Sequence, residues 1–302
     1  MRFLYFVILL SLLSSTGLSA KSSEKVGPVR EHVIANAEEH ALSSSITGRR
    51  YRIYIGYPGS YNPKSSKKYP VVYVTDGYWH FDRLCSIAPG LWLDGVAPEF
   101  IVVGIGYDDD SLRFEDERRY ELTPTVEGDA YTRQDGLRSG GARKFLNSIV
   151  TEIIPYVETH TQADPSFRVL AGASFGGLFS LFAMGEAPGT FQGIVSVSPA
   201  LGWDEAWLRR RHGELRDSAT GGVDSVPWDL QTRLFMSVGD HEGSSFKSQI
   251  YAYNQFLKNT RFTHFRYQFR IIDGARHHTT SEAFTRGLHF VFAPLAKYRD
   301  FQ

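Results

Sequence analysis

Five stretches of the chain are apolar almost without interruption: YPVVYVT (69–75), EFIVVGIGY (99–107), FRVLAGA (167–173), FQGIVSVSP (191–199) and TRLFMSVGD (232–240). Short runs without alternation suit strands buried on both faces, as in a parallel sheet. THFRYQFRIID (263–273) reads as a sixth strand of the same set. An earlier segment is different. In GRRYRIYIGY (48–57) polar and apolar residues alternate, with Tyr51, Ile53 and Ile55 on one face. That spacing predicts a half-buried antiparallel strand, and β character sets in from about residue 30. Between the strands the period changes. Phe145, Ile149, Ile153 and Val157 recur every fourth residue and predict a helix over 140–160, bent at Pro155. Helices are also expected over 175–186, 246–258 and 281–297. Residues 58–68, PGSYNPKSSKK, are turn-formers and make a loop.

Strands alternating with helices build parallel βαβ units. The fold class is therefore α/β: a mostly parallel, doubly wound sheet with antiparallel N-terminal strands and helices on both faces. The chain shows no internal repeat and no clean domain boundary, so 21–302 is expected to be a single domain. One irregular segment, 203–230, is rich in Arg, Asp, Gly and Trp and reads as a lid-like insertion.

The N-terminus stands outside this pattern. Met1-Arg2 precedes the apolar run FLYFVILLSLL, and small residues follow at Ser15, Gly17, Ser19 and Ala20. This is the layout of a secretory leader over residues 1–20, removed on export to the periplasm or beyond. The run is shorter than the roughly 20 apolar residues that span a bilayer, so no membrane span is expected after cleavage. Thirty-three basic residues balance thirty-three acidic ones. That removes the electrostatic case for nucleic acid, whose binders carry a basic surplus. Cys85 is the only cysteine, which excludes an intramolecular disulfide and a cysteine zinc site. It lies in LCSIAPGLWL with no basic neighbour to activate it, so its role is packing.

The chemistry concentrates in Gly172-Ala173-Ser174-Phe175-Gly176, which matches the G-x-S-x-G nucleophile elbow of α/β-hydrolase enzymes. The serine sits on a sharp turn between a buried strand and a helix, and small residues two positions either side avoid collision. The context fits, since RVLAGA reads as a buried strand and FGGLFSLFAMGE as a helix. A serine hydroxyl needs a base, and the base needs an orienting acid. In this fold the partners follow in the order Ser, Asp/Glu, His. The strand LFMSVG delivers Asp240-His241-Glu242, and RYQFRIIDG delivers His277-His278. Spacing alone leaves both pairs open. For the oxyanion, one backbone donor is the residue after the nucleophile, Phe175. The second is assigned to Tyr78, on the turn Asp76-Gly77-Tyr78 that follows VVYVT.

Taken together, YPVVYVTDGYWHF, RRYELTP (118–124), RVLAGASFGGLFSLFAM, VSPALGW (197–203), SVGDHEG and DGARHHTTSEAF resemble one branch of the α/β hydrolases. That branch includes siderophore trilactone esterases, feruloyl and acetyl-xylan esterases, S-formylglutathione hydrolases and mycolyltransferases. The similarity runs from about Arg50 to about Phe292. The resemblance selects Glu242, three residues after the strand-ending Gly239, and His277, in a Gly-x-x-His pattern. Siderophore esterases of this branch often carry Ser-Pro-Ser-x-Trp-Trp beside the pocket. Here Trp203 keeps one tryptophan and Gly202 replaces the other. The resemblance implies acyl transfer through Ser174, His277 and Glu242, with no cofactor and no metal. The expected partner is a small-molecule or polysaccharide ester. Two other readings are an acyltransferase on the same fold and a secreted binding protein without catalysis. A dinucleotide site is excluded because Gly104-Ile105-Gly106 lacks the third glycine and opens no helix.

Overall fold

A computed structural model describes residues 34–108, 114–126, 138–204, 206–223 and 226–297. The leader expected over 1–20 lies outside them. In chain order the elements are β1 (Ala37–Ser43), β2 (Arg50–Gly56), β3 (Tyr69–Val74), α1 (Gly77–Leu93), β4 (Ile101–Tyr107), α2 (Phe114–Leu122) and α3 (Ala142–Ser148). A π-helical turn, Ile149–Ile153, leads to α4 (Ile154–His160), β5 (Ala163–Ala173), α5 (Phe175–Glu186), β6 (Gly193–Val197) and α6 (Trp207–Thr220). The rest are β7 (Trp228–Asp229), β8 (Arg233–Gly239), α7 (Ser244–Asn259), β9 (Phe262–Thr263), β10 (Arg266–Ile272) and α8 (Ser281–Phe292).

Eight strands form one sheet in the order β1-β2-β4-β3-β5-β6-β8-β10. β1 pairs antiparallel with β2, and β2 with β4; every other pairing in that sheet is parallel. The expected doubly wound, mostly parallel sheet with an antiparallel N-terminal edge is what forms. Along β3 the strand period of two divides the core. Val71 and Tyr73 face the layer that contains α3, α4 and α5. Val72 and Val74 face the layer of α1 and α8. Tyr51, Ile53 and Ile55 are fully buried, as their alternation requires.

Besides α2, where no helix is expected from the sequence, two elements depart from expectation. The helix over 140–160 widens into a π turn just ahead of Pro155, where the Ile154 N–H reaches back to the Ile149 carbonyl. Proline has no N–H and its ring crowds the preceding turn; the wider turn accommodates it without ending the helix. Phe145, Ile149, Ile153 and Val157 are all buried on its inner face. The second departure is α1. Pro89 and Gly90 interrupt its pattern, and no helix is expected there from sequence; packing of Phe81, Leu84 and Leu91 supplies it. The segment expected as an insertion carries α6. Its His212 is fully buried, with Nδ1 2.8 Å from the Tyr253 hydroxyl on α7.

Candidate active site

Parallel strands deliver their C-terminal ends to one edge of the sheet, and four of those ends carry the candidate residues. β5 ends at Ala173, and Ser174 follows at φ 58° and ψ −117°, a conformation L residues seldom adopt. The strain is held from several sides. The Ser174 N–H donates to the Val197 carbonyl at 3.0 Å, and its own carbonyl accepts from Leu178 and Ala200. The flanking glycines are required by contact. A Cβ at Gly172 would overlap the Gly176 carbonyl, and one at Gly176 would overlap Thr75 Oγ1. The turn thus places Ser174 directly ahead of α5, whose first residue is Phe175. N–H groups in the first turn of a helix have no carbonyl of that helix to bond and favour negative charge.

β3 ends one strand away and runs through Asp76 into α1. The turn expected there is the start of a helix, and Tyr78 is its second residue. Tyr78 and Trp79 are exposed, with ring centroids 4.7 Å apart.

β8 and β10 are parallel neighbours that end level, Gly239 opposite Ile272. The loops that follow are bonded to each other: the Asp240 N–H donates to the Ile272 carbonyl and the His241 N–H to the Ala275 carbonyl. A Cβ at Gly239 would overlap the Ala275 carbonyl, so glycine permits this approach. Out of these loops come Glu242, buried, and His277, partly exposed. The His277 Nδ1–H donates to Glu242 Oε2 at 2.7 Å. The other carboxylate oxygen, Oε1, accepts from Ser198 Oγ at 2.6 Å and from the Gly239 N–H at 2.8 Å. Burial pushes the Glu242 carboxyl up, but hydrogen bonds from His277, Ser198 and Gly239 outweigh it and hold the group below the ordinary carboxylate value.

Asp240 faces His241 at 3.7 Å. His278 lies edge-on to the His277 ring, centroids 5.2 Å apart, and Glu242 bonds His277. Phe246 packs on His277 from α7, with centroids 5.1 Å apart. Trp203 is buried, donates from Nε1 to Thr125 Oγ1 at 2.9 Å and packs edge-on against Phe175, with centroids 5.6 Å apart. At Gly202 a Cβ would meet Gln249 Cγ at 3.5 Å, an ordinary contact.

Sequence reasoning missed Ser198. Its φ of 44° and its N–H bond to the Ser237 carbonyl aim its hydroxyl at Glu242 across 44 residues of chain. It also missed the Asp76–Arg118 ion pair beneath the α1 turn. Cys85 is partly buried, and burial pushes its thiol up to about 12, as suits a packing role. Among the described residues, no three His, Cys, Asp or Glu side chains gather as metal ligands, and no helix is long and apolar enough to cross a membrane.

Comparison with known proteins bears on this geometry. The family described as "Putative esterase" matches residues 44–289. The apo-salmochelin esterase of Escherichia coli O6:H1 is 32% identical over 158 residues, 51% of this chain and 48% of that protein. The siderophore triacetylfusarinine C esterase of Aspergillus fumigatus is 28% identical over 179 residues, 57% of this chain and 58% of that one. The chain therefore spans about half the length of these two relatives. Among solved structures, the BES protein from Bacillus cereus superposes with a TM-score of 0.75 at 25% identity, covering 88% of this chain and 99% of that one. Siderophore hydrolase EstA from Aspergillus nidulans shares the fold, with a TM-score of 0.70 at 21% identity over 91% of this chain and all of the other.

Proposed function

The chain belongs to the Putative esterase family, and on that premise we propose that it hydrolyses carboxylic esters through an acyl-enzyme on Ser174. The observation that carries the reading is the 2.7 Å bond from His277 to Glu242 on the loops after β10 and β8, at the same sheet edge as a serine held at φ 58° ahead of a helix N-terminus. His277 removes the proton of Ser174 as its Oγ attacks the ester carbonyl. Glu242 keeps the imidazole in the tautomer whose Nε2 faces the serine and stabilises the cation that forms. The N–H groups of Phe175 and Tyr78 stabilise the tetrahedral oxyanion. His277 then protonates the leaving alcohol, and water releases the acyl group by the same steps.

The names of the relatives favour a siderophore ester over an acylated polysaccharide, and a trilactone is the siderophore type proposed. Gly202, where siderophore esterases of this branch often carry tryptophan, leaves space beside Trp203 for a differently shaped group. The leader at 1–20 sends the protein out of the cytoplasm, and the exported chain begins at Lys21.

The test uses protein exported from cells expressing the full chain, beside Ser174→Ala. The wild type should hydrolyse p-nitrophenyl acetate and butyrate and open a cyclic trilactone by one water per ester; Ser174→Ala should do neither while keeping its fold. Equal rates in both would remove Ser174 as nucleophile. N-terminal sequencing of the same protein should read from Lys21, and an intact Met1 would end the export proposal. Added acceptor alcohols separate hydrolysis from acyl transfer by the product formed.

A further inference from the structure

The loop from β10 to α8 carries His277 and is fastened along its length. At its entry the Ala275 carbonyl accepts from the His241 N–H. In its middle the Thr279 N–H donates to the Arg276 carbonyl at 2.9 Å, closing a turn around His277 and His278. At its exit stands Thr280, buried, at the N-cap of α8. A threonine there ordinarily bonds the first helical N–H groups through its hydroxyl. Thr280 makes no such cap. Its Oγ1 accepts instead from Arg83 Nη1 on α1, at 2.6 Å. The same Nη1 donates to His80 Nδ1 at 3.0 Å, one turn earlier on α1. His80 is buried and packs edge-on against Phe284 of α8, with centroids 5.2 Å apart. Burial pushes its imidazole down to about 4, so the ring is neutral and its Nδ1 keeps the lone pair that Arg83 needs.

We infer that Arg83 is a positioning residue for His277: by tying Thr280, the exit of the His277 loop, to α1, it holds the imidazole in one frame with the Tyr78 N–H. This rests on the reading of Ser174 as nucleophile and His277 as its base. Glu242 fixes one nitrogen of the His277 ring, but a ring hung from a single hydrogen bond can still swing about it. The direction of Nε2 is then set by the backbone that carries the ring, and Thr280 is the point where that backbone enters α8. Tyr78 and Arg83 belong to one helix, Gly77–Leu93, so a loop tied to Arg83 is registered against Tyr78 as well. Such registry matters, because a misplacement of about 1 Å costs on the order of a hundredfold in rate. Arginine suits the task. One of its nitrogens offers two hydrogens in a fixed plane, and here they serve one acceptor on each helix.

The test compares Thr280→Val, Thr280→Ser and Arg83→Met in the full chain. Valine keeps the shape of threonine and removes only the acceptor; serine keeps the acceptor. The readouts are kcat and KM with p-nitrophenyl butyrate, the rate at which a fluorophosphonate labels Ser174, and the downfield proton NMR signal of the His277 Nδ1–H. Thr280→Val and Arg83→Met should lose about ten- to a hundredfold in kcat with KM held within about twofold, label more slowly by a similar factor, and exchange the Nδ1–H with water faster. Thr280→Ser should hold kcat within about threefold of the wild type. If Arg83→Met does not fold, the double variant H80F/R83M decides, since phenylalanine keeps a ring against Phe284 and leaves no nitrogen without a donor: reduced kcat at unchanged KM supports the inference, and wild-type kcat overturns it. A folded Thr280→Val with wild-type kcat and labelling rate overturns it, even where its stability has fallen. Equal losses in Thr280→Val and Thr280→Ser, or a change confined to KM, also overturn it. Ser174→Ala separates the two levels. Turnover that survives Ser174→Ala removes the reading and the inference together; turnover that needs Ser174 but neither Arg83 nor the Thr280 hydroxyl removes the inference alone.

Discussion

Glu242 holds His277 with one carboxylate oxygen, Oε2 at 2.7 Å from Nδ1, and leaves the other to Ser198 and the Gly239 N–H. Neighbouring residues of the same chemistry, Asp240 and His278, make no such pair; Asp240 faces His241 and His278 is exposed. The consequence is a sharp contrast within each doublet. Glu242→Gln and His277→Ala should lower kcat/KM for p-nitrophenyl butyrate by on the order of a thousandfold or more, the first because an amide fixes the wrong imidazole tautomer. Asp240→Asn and His278→Ala should stay within about threefold of the wild type. Losses of equal size in both members of either doublet would refute the assignment.

Ser198 acts one bond further out. Its hydroxyl donates to a carboxylate, a bond worth about 1.5–3 kcal/mol, and it is one of three that offset the burial of Glu242. Ser198→Ala should lower kcat about tenfold, leave KM unchanged and raise the pKa of Glu242. The last can be read by carboxylate NMR or infrared titration. A titration of Glu242 unmoved by Ser198→Ala would show that the hydroxyl only fills space.

What the sequence made legible follows from distance along the chain. The elbow was readable because strand, turn and helix are contiguous from Val169 to Glu186, each with its own period. That the Glu242 and His277 loops would share one edge was readable because a parallel sheet sends successive strand ends there. Choosing Glu242 over Asp240 was not readable from spacing, since both follow Gly239 closely and only the close approach of the β10 loop decides which one meets His277. Ser198–Glu242 and Asp76–Arg118 are separated by 44 and 42 residues. Neither pairing has a period or motif to announce it. The helix α1 was hidden for a different reason: Pro89 and Gly90 break its pattern, and its packing against β4 and α8 overrides local preference.

The crowding at the elbow gives a test of packing that needs no substrate. A methyl at Gly176 would overlap Thr75 Oγ1, while the next nearest atoms, Asp76 Oδ2 and Thr75 Cβ, lie at 3.4 and 3.5 Å. Thr75 is buried and cannot swing into solvent. Gly176→Ala should therefore destabilise the fold by about 1–3 kcal/mol, the usual range for overpacking. Thr75→Ala removes the one atom in the way. In a double-mutant cycle by urea unfolding, the Gly176→Ala penalty should shrink by more than half in the Thr75→Ala background. Additive effects would mean that the clash lies elsewhere.

Two buried groups far from Ser174 along the chain set opposite pH dependences of stability. Burial pushes the His212 imidazole down to about 4 from an ordinary 6.5. Between those values the unfolded chain binds a proton that the folded chain refuses, so this contribution is present above pH 6.5 and is lost as pH falls toward 4. Glu121 is the reverse. Burial is the largest influence and outweighs Arg49 and Tyr51, raising its carboxyl from 4.5 to about 7. Between those values the folded chain keeps a proton that the unfolded chain has released, so stability falls as pH rises through the window. Each proton corresponds to about 1.4 kcal/mol per pH unit. Relative to the wild type, Glu121→Gln should gain stability from pH 5 to pH 7, and His212→Gln should gain from pH 6.5 down to pH 5, whatever its packing loss at neutral pH. Chemical unfolding of the three proteins at half-unit steps measures both differences, and curves that run parallel to the wild type would show that neither group titrates on unfolding as its burial requires.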